Sequence, residues 1–118
     1  MSIKDELKEK FKKRVKTQEE LKLESEAINM LEDFIIPKFR NIANARPYLY
    51  CLEIAFHDNI SGFFYTSDID EYRSKNASPY KRDVVEMAVD IAYKYDIEAC
   101  KVFNKLGGIS YRFILDLR

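Results

Sequence analysis

The chain has 118 residues, of which 47% are apolar and 34% charged, and its 20 basic and 20 acidic side chains cancel to a formal charge of zero. This length and composition predict one domain with one hydrophobic core and exclude global disorder. Zero net charge argues against a dedicated nucleic-acid coat, and no apolar stretch approaches the roughly 18 residues that a membrane span requires.

The first segment, residues 1–16, predicts a very polar helix with a narrow apolar stripe. It carries seven Lys or Arg residues against three Asp or Glu residues, whereas residues 17–36 carry one against six. The stripe recurs every four residues, at Ile3, Leu7, Phe11 and Val15. So narrow a stripe buries little in a monomer, which predicts a protruding basic amphipathic helix.

The second helix begins at a predicted capping box formed by Thr17 and Glu20. Its apolar face is wide and comprises Leu21, Ala27, Ile28, Leu31, Phe34, Ile35, Phe39 and Ile42. Because the apolar residues keep the same helical spacing on both sides of Pro37, we expect the helix to continue with a kink near Ile36. The alternative is that the helix ends there and a short second helix follows. The pair Arg46-Pro47 closes the element.

A first β-hairpin is predicted next. Residues 48–56 alternate with period two, with Tyr48, Tyr50, Leu52, Ile54 and Phe56 on one face. The run 57–59 predicts a turn, and residues 63–66 predict the returning strand, with Gly62 allowing a bulge.

The second half of the chain predicts a loop, a helix and another hairpin. The polar stretch 67–78 predicts the loop, and Ser78 with Pro79 predicts the start of a helix whose apolar face points at a sheet. Residues 97–103 and 109–117 predict the second hairpin around a Gly-Gly turn. The predicted fold is therefore α+β, in the order α-α-β-β-α-β-β, with helices packed on one face of a mainly antiparallel four-stranded sheet in a single domain of residues 1–118.

Catalytic and metal chemistry find little support in the sequence. Cys51 and Cys100 form no Cys-x-x-Cys pair, and His57 is the only histidine. We expect both cysteines to be buried, reduced thiols of a cytoplasmic protein. Cys51 and His57 lie about 20 Å apart along an extended strand, too far for a catalytic pair. The acidic run from Asp68 lacks the glycine of a calcium loop. No enzyme activity, metal or cofactor is expected.

The surplus of aromatic residues and the narrow N-terminal stripe favour protein binding. Tyrosine combines apolar area with a polar tip, which suits interfaces. The leading hypothesis is a non-enzymatic interaction module, a small adaptor or inhibitor that presents the N-terminal helices and an aromatic sheet edge or face to a protein partner. Self-association as a dimer through the N-terminal helix is one version of this hypothesis. Its predicted partner-binding residues are Ile3, Leu7, Phe11, Val15, Tyr65 and Tyr72.

The alternative hypothesis is nucleic-acid binding through the basic N-terminal helix, whose affinity would fall steeply with salt. Its residues would be Lys8, Lys10, Lys12, Lys13, Arg14 and Lys16, together with Arg40 and Arg46. A purely solvated helix with Glu6–Lys10 and Glu9–Lys13 pairs is a third interpretation of the same segment. The composition, rich in Lys, Ile, Asn and Tyr, is compatible with an AT-rich genome, including that of a phage.

Overall fold

A computed structural model of the protein describes residues 2–4, 17–67, 76–105 and 107–118. The α+β class is confirmed, with five described strands where four were predicted. In chain order the elements are α1 (Gln18–Met30), a π-helical turn (Leu31–Ile35), α2 (Ile36–Ala45), β1 (Cys51–Asn59), β2 (Gly62–Ser67), β3 (Asn76–Ala77), α3 (Arg82–Ile91), a 3-10 turn (Ala92–Tyr95), β4 (Glu98–Phe103) and β5 (Ile109–Asp116).

Helix α1 begins where the capping residues predicted. Thr17 has an extended backbone, and its hydroxyl accepts a hydrogen bond of 3.1 Å from the backbone N–H of Glu20. This bond satisfies one of the amide donors that the first turn of any helix leaves without a partner.

The helix does not end at Pro37. It widens into the π-helical turn, in which the N–H of Ile36 bonds to the carbonyl of Leu31, five residues earlier. In a regular α-helix the proline ring would crowd the carbonyl of Asp33. The wider turn gives the ring room, so that α2 continues to Ala45.

The sheet is antiparallel throughout and has the strand order β3-β2-β1-β5-β4. The strand missed by the sequence, β3, contains two residues and pairs with Phe64 and Tyr65 of β2. The predicted turn at residues 57–59 was wrong, because these residues extend β1 and pair with β2 and β5. The turn lies at Ile60-Ser61 and is followed by Gly62, whose φ of +119° suits glycine.

All three helices pack on one face of the sheet. That face of β1 carries Leu52, Ile54 and Phe56, as the predicted alternation requires, and all three are fully buried. Tyr48 and Tyr50 do not extend it. They precede β1 in the turn that follows Arg46-Pro47 and are exposed. The core joins these strand residues to Ala27, Met30, Leu31, Ile35, Phe39, Ile42, Val84, Val85, Ala88, Ile91, Ala92, Ile97, Tyr111 and Phe113.

The predicted N-terminus of α3 was three residues early. The backbone N–H of Ser78 bonds to the carbonyl of Phe63, and its side chain exchanges hydrogen bonds with the backbone of Tyr80. Ser78 therefore continues the sheet edge and forms a local turn, and the helix begins at Arg82.

Both cysteines are free and exposed, so their predicted burial was wrong. Their positions in the strand register place them on the face of the sheet away from the core residues, and no described helix packs there. Among the described residues, none of the helices is long and apolar enough to cross a membrane.

Candidate interaction surface

An apolar groove of about 280 Å³ opens at one end of the sheet, between α2 and the end of β5. Helix α2 contributes Phe39 and Ala43 to its wall, and Arg40 also lines it. Leu115 and Leu117 close it from the sheet, and Ile97 from the start of β4. Such a depression, lined mainly by apolar side chains, can hold an apolar side chain from another molecule.

One backbone and one side-chain hydrogen bond hold the walls of this groove in place. The N–H of Leu117 bonds to the carbonyl of Tyr50 at 2.7 Å, which fixes the chain just after β5. On the other side, the hydroxyl of Tyr95 donates to the carboxylate of Glu32 at 2.9 Å and ties the 3-10 turn to the π-helical turn. Asp96 then adopts a left-handed φ of 59°, which redirects the chain into Ile97 and β4.

Strand β4 is an edge strand, which pairs within the described residues with β5 alone. Directly after it, the N–H of Asn104 bonds to the carbonyl of Gly108 at 2.8 Å. Because the bonding direction alternates along a strand, the even-numbered residues of β4 bond toward β5, and Ala99, Lys101 and Phe103 present their N–H and C=O groups outward. Such a row of groups is a template for pairing with another strand.

Two apolar side chains project from β4 into solvent. Phe103 is 72% exposed and Val102 is 38% exposed. The side chain of Lys101 is held against α3: its ammonium lies 3.2 Å from the carboxylate of Glu86 and 5.3 Å from the centre of the Phe103 ring. The lysine charge that would discourage pairing at this edge is therefore engaged with α3, while Glu98 at the start of the strand is exposed.

A polar network under β4 explains this position of Lys101. Glu86 accepts a hydrogen bond of 2.7 Å from the hydroxyl of Tyr111, and Arg82 lies 3.6 Å from the same carboxylate and 3.3 Å from that of Asp58. The hydrogen bond from Tyr111, supported by Lys101 and Arg82, holds the pKa of Glu86 below its usual value. Burial, followed by the bond to Glu86, raises the pKa of the Tyr111 phenol. Glu86 is therefore the anionic centre that fixes Lys101.

The opposite face of the sheet carries a chain of hydrogen bonds centred on His57. The Nδ1 atom of His57 lies 3.0 Å from the hydroxyl of Ser110, and Nε2 lies 3.1 Å from the hydroxyl of Thr66. Asn104 donates to Ser110 at 3.3 Å, and the neutral imidazole donates through one ring nitrogen and accepts through the other. Burial lowers the pKa of His57, and Glu53 partly opposes that shift, so the neutral ring fits its surroundings.

Glu53 and Arg112 form a second polar contact on this face. The guanidinium donates to both carboxylate oxygens, at 3.0 Å and 2.7 Å. The bidentate pair bridges β1 and β5 beside the His57 chain. Within the described part of the chain, no group of three His, Cys, Asp or Glu residues could hold a metal ion.

The predicted site residues fall in separate places. Ile3 is 75% exposed. Tyr65 is half-buried and packs edge to face on Phe34 at 5.1 Å, with the ammonium of Lys38 4.9 Å from its ring centre. The remaining predicted residues lie outside the described residues: Leu7, Phe11, Val15, Tyr72, Lys8, Lys10, Lys12, Lys13, Arg14 and Lys16.

The two arginines of the nucleic-acid hypothesis are not brought together. Arg40 lines the groove, whereas Arg46 caps α2 and donates to the hydroxyl of Tyr48 at 3.3 Å. Six residues of helix rotate the side chain by about 240°, so the two guanidinium groups leave α2 in different directions.

The sequence indicated an aromatic sheet edge or face as a partner-binding surface, but it predicted neither the groove nor β4 as that edge. The groove draws on four segments that are distant in the chain, and periodicity within one segment cannot join them. A signal for the edge was present, since β4 places apolar residues on both of its faces, with Cys100 and Val102 on one side and Ala99 and Phe103 on the other.

Comparison with known proteins found no match among family models, curated proteins or solved structures.

Proposed function

We propose that the protein is a non-enzymatic protein–protein interaction module, a small adaptor or inhibitor, that binds its partner at the apolar groove and the adjoining outer edge of β4. The observation that carries the proposal is their continuity: Ile97 lines the groove and is followed directly by Glu98, the first residue of the edge strand.

The two parts of this surface supply different components of binding. An extended segment added to β4 would gain main-chain hydrogen bonds from the outward groups of the strand, as in other cases of strand addition. A side chain seated in the groove would add burial and specificity, since about 280 Å³ accepts one large apolar residue or two small ones. Free, exposed thiols fit a reducing cytoplasm, where we place the protein.

A charge placed inside the groove tests the proposal. Ala43→Arg introduces a long cationic side chain into the groove wall, while Ala45→Arg makes the same change at an exposed position of the same helix. Affinity capture from the native host, with mass spectrometry, should lose specific partners for Ala43→Arg and keep them for Ala45→Arg. Capture of the same proteins in equal amounts by both variants would count against the groove as the binding surface.

Nucleic-acid binding is the competing proposal, and it is supported by the basic composition of residues 1–16. A gel shift at two salt concentrations separates the two, because a complex held by phosphate contacts weakens steeply with salt. Salt-sensitive binding that disappears when residues 1–16 are deleted would favour this competing function.

A further inference from the structure

We infer that the partner at this surface is a second copy of the chain, paired with the first through β4 in antiparallel orientation about a twofold axis at Cys100. The inference rests on the proposed function and names its partner.

The two ends of β4 are complementary. The groove lies at its beginning, beside Ile97, and the exposed ring of Phe103 lies at its end. The strand between them spans roughly 20 Å. A twofold axis perpendicular to the sheet reverses the strand and brings the Phe103 ring of each copy beside Ile97 of the other. The same twofold rotation thus places each exposed Phe103 ring against apolar residues of the other copy.

The register follows from side-chain direction and charge. A twofold axis perpendicular to the sheet keeps the helices of both copies on one side, so even-numbered residues must oppose even-numbered ones. An axis at Lys101 would place two lysines directly opposite each other, which is unfavourable. An axis at Ala99 would place Phe103 of one copy beyond the β4 strand of the other, at the level of that copy's 3-10 turn. An axis at Cys100 avoids the facing lysines and the misplaced ring, and it pairs the whole stretch 97–103.

In this register the hydrogen-bonding groups also match. Ala99 and Lys101 both point their backbone groups outward, and each would face the other residue in the second copy. The methyl side chain of Ala99 leaves room for Lys101 of the second copy, which stays bound to its own Glu86 at 3.2 Å. The assembled sheet would continue through both copies and join the five described strands of each.

Cys100 provides a direct test of the register. It would lie on the axis in a non-hydrogen-bonded pair, where opposite Cα atoms are about 4.5 Å apart, within reach of a disulfide. Diamide would accept two protons and two electrons from the two thiols and become the corresponding hydrazine as the S–S bond forms. Full-length Cys51→Ser should therefore give a covalent dimer on a non-reducing denaturing gel, and full-length Cys100→Ser should not.

Cys51→Ser is the matched variant because Cys51 is also free and exposed but lies in β1, an interior strand. Equal cross-linking of the two variants would mean random collision. No cross-linking of Cys51→Ser would overturn the register.

The mass of the protein in solution tests the interface without a cross-linking reaction. Phe103→Ser should raise the dimer dissociation constant about tenfold or more in sedimentation equilibrium, as expected for loss of an interface anchor. Tyr93→Ser removes an aromatic ring that is comparably exposed in the 3-10 turn, and it should leave the dimer unchanged. Circular dichroism of both variants checks that they fold.

The outcomes separate this inference from the proposed function. A monomeric wild-type protein that still captures a partner in an Ala43→Arg-sensitive way would overturn the second copy as the occupant and leave the interaction module standing. If the protein is a monomer and Ala43→Arg captures the same partners as the wild type, both the second copy as occupant and the groove as binding surface would be overturned. A dimer that survives Phe103→Ser but is lost when residues 1–16 are deleted would place self-association in the N-terminal segment and overturn the β4 pairing.

Discussion

The two faces of the central strand β1 differ in what holds them together. On the helix-covered face, Leu52, Ile54 and Phe56 are fully buried among apolar neighbours. On the other face, Glu53 and His57 are half-buried and make hydrogen bonds to side chains of β2 and β5. Burial of apolar area is therefore the main stabilising contribution on the first face, and satisfied polar contacts on the second.

This difference bears on function. The polar groups of the second face bond to one another across the strands. Large apolar side chains are exposed at β4 and beside the groove, at Val102, Phe103 and Leu117, and also at separate positions such as Leu21 and Ile60. We therefore expect the polar face to be solvated and the outer edge of β4 to be available for association.

The largest expected effect comes from shortening one aromatic residue on each face. Phe56→Ala should lower the free energy of unfolding by about 3–5 kcal/mol, because it empties space in the core. Phe64→Ala makes the same chemical change on the polar face, where the ring is half-buried and lies 5.2 Å from the ring of His57. In urea denaturation, Phe64→Ala should lower the free energy of unfolding by less than half as much as Phe56→Ala. Equal losses would contradict the difference between the two faces.

A second prediction concerns pH. Burial lowers the pKa of His57 in the folded protein below its ordinary value of 6.5, so the unfolded chain binds more protons between those two values. The free energy of unfolding should therefore fall as the pH drops below 6.5, by at most about 1.4 kcal/mol per pH unit. Denaturation midpoints between pH 5 and pH 7.5 measure this slope.

His57→Gln is the control for that slope. His57 is the only histidine, so the variant should flatten the dependence in this range. The carboxylate of Glu86, whose pKa is lowered, loses its stabilising contribution only at more acidic pH. An unchanged slope in the variant would show that another group titrates.

The smallest expected effect is the coupling between Glu53 and Arg112. Their side chains are 34% and 41% exposed, so solvent screens much of the attraction despite the bidentate geometry. A double-mutant cycle with Glu53→Gln and Arg112→Gln should give a coupling energy of about 0.2–1 kcal/mol. A value above about 2 kcal/mol would mean that this face is drier than its exposure indicates.

Local signals predicted much of the fold. The Thr17 cap, the wide apolar face of the second helix and the final hairpin were all predicted from spacing within a few residues. Ser78 shows where this reasoning fails. Its side chain and the following proline suit a helix start, but its N–H is taken by Phe63, a strand residue far away in the sequence.

The candidate surface was less predictable than the fold. Cys51 and Cys100 were expected to be buried because their strands are apolar, yet exposure depends on whether another layer covers the face. The groove depends on how α2, the 3-10 turn and β5 meet, which is a property of tertiary packing. Residues 5–16 of the N-terminal segment lie outside the described range, so their predicted roles stay predictions.

The π-helical turn at Leu31–Ile35 makes the length of this helix as constrained as its composition. A π-helical turn contains one residue more than the α-helical turn it replaces, so removing the exposed Glu32 would close it to a regular turn and leave Phe39 and Ile42 facing the sheet. The ring of Pro37 would then meet the carbonyl of the residue four positions before it. A single-residue deletion at this point should therefore be more damaging than a substitution at the same exposed position, because of this clash and not because α2 rotates.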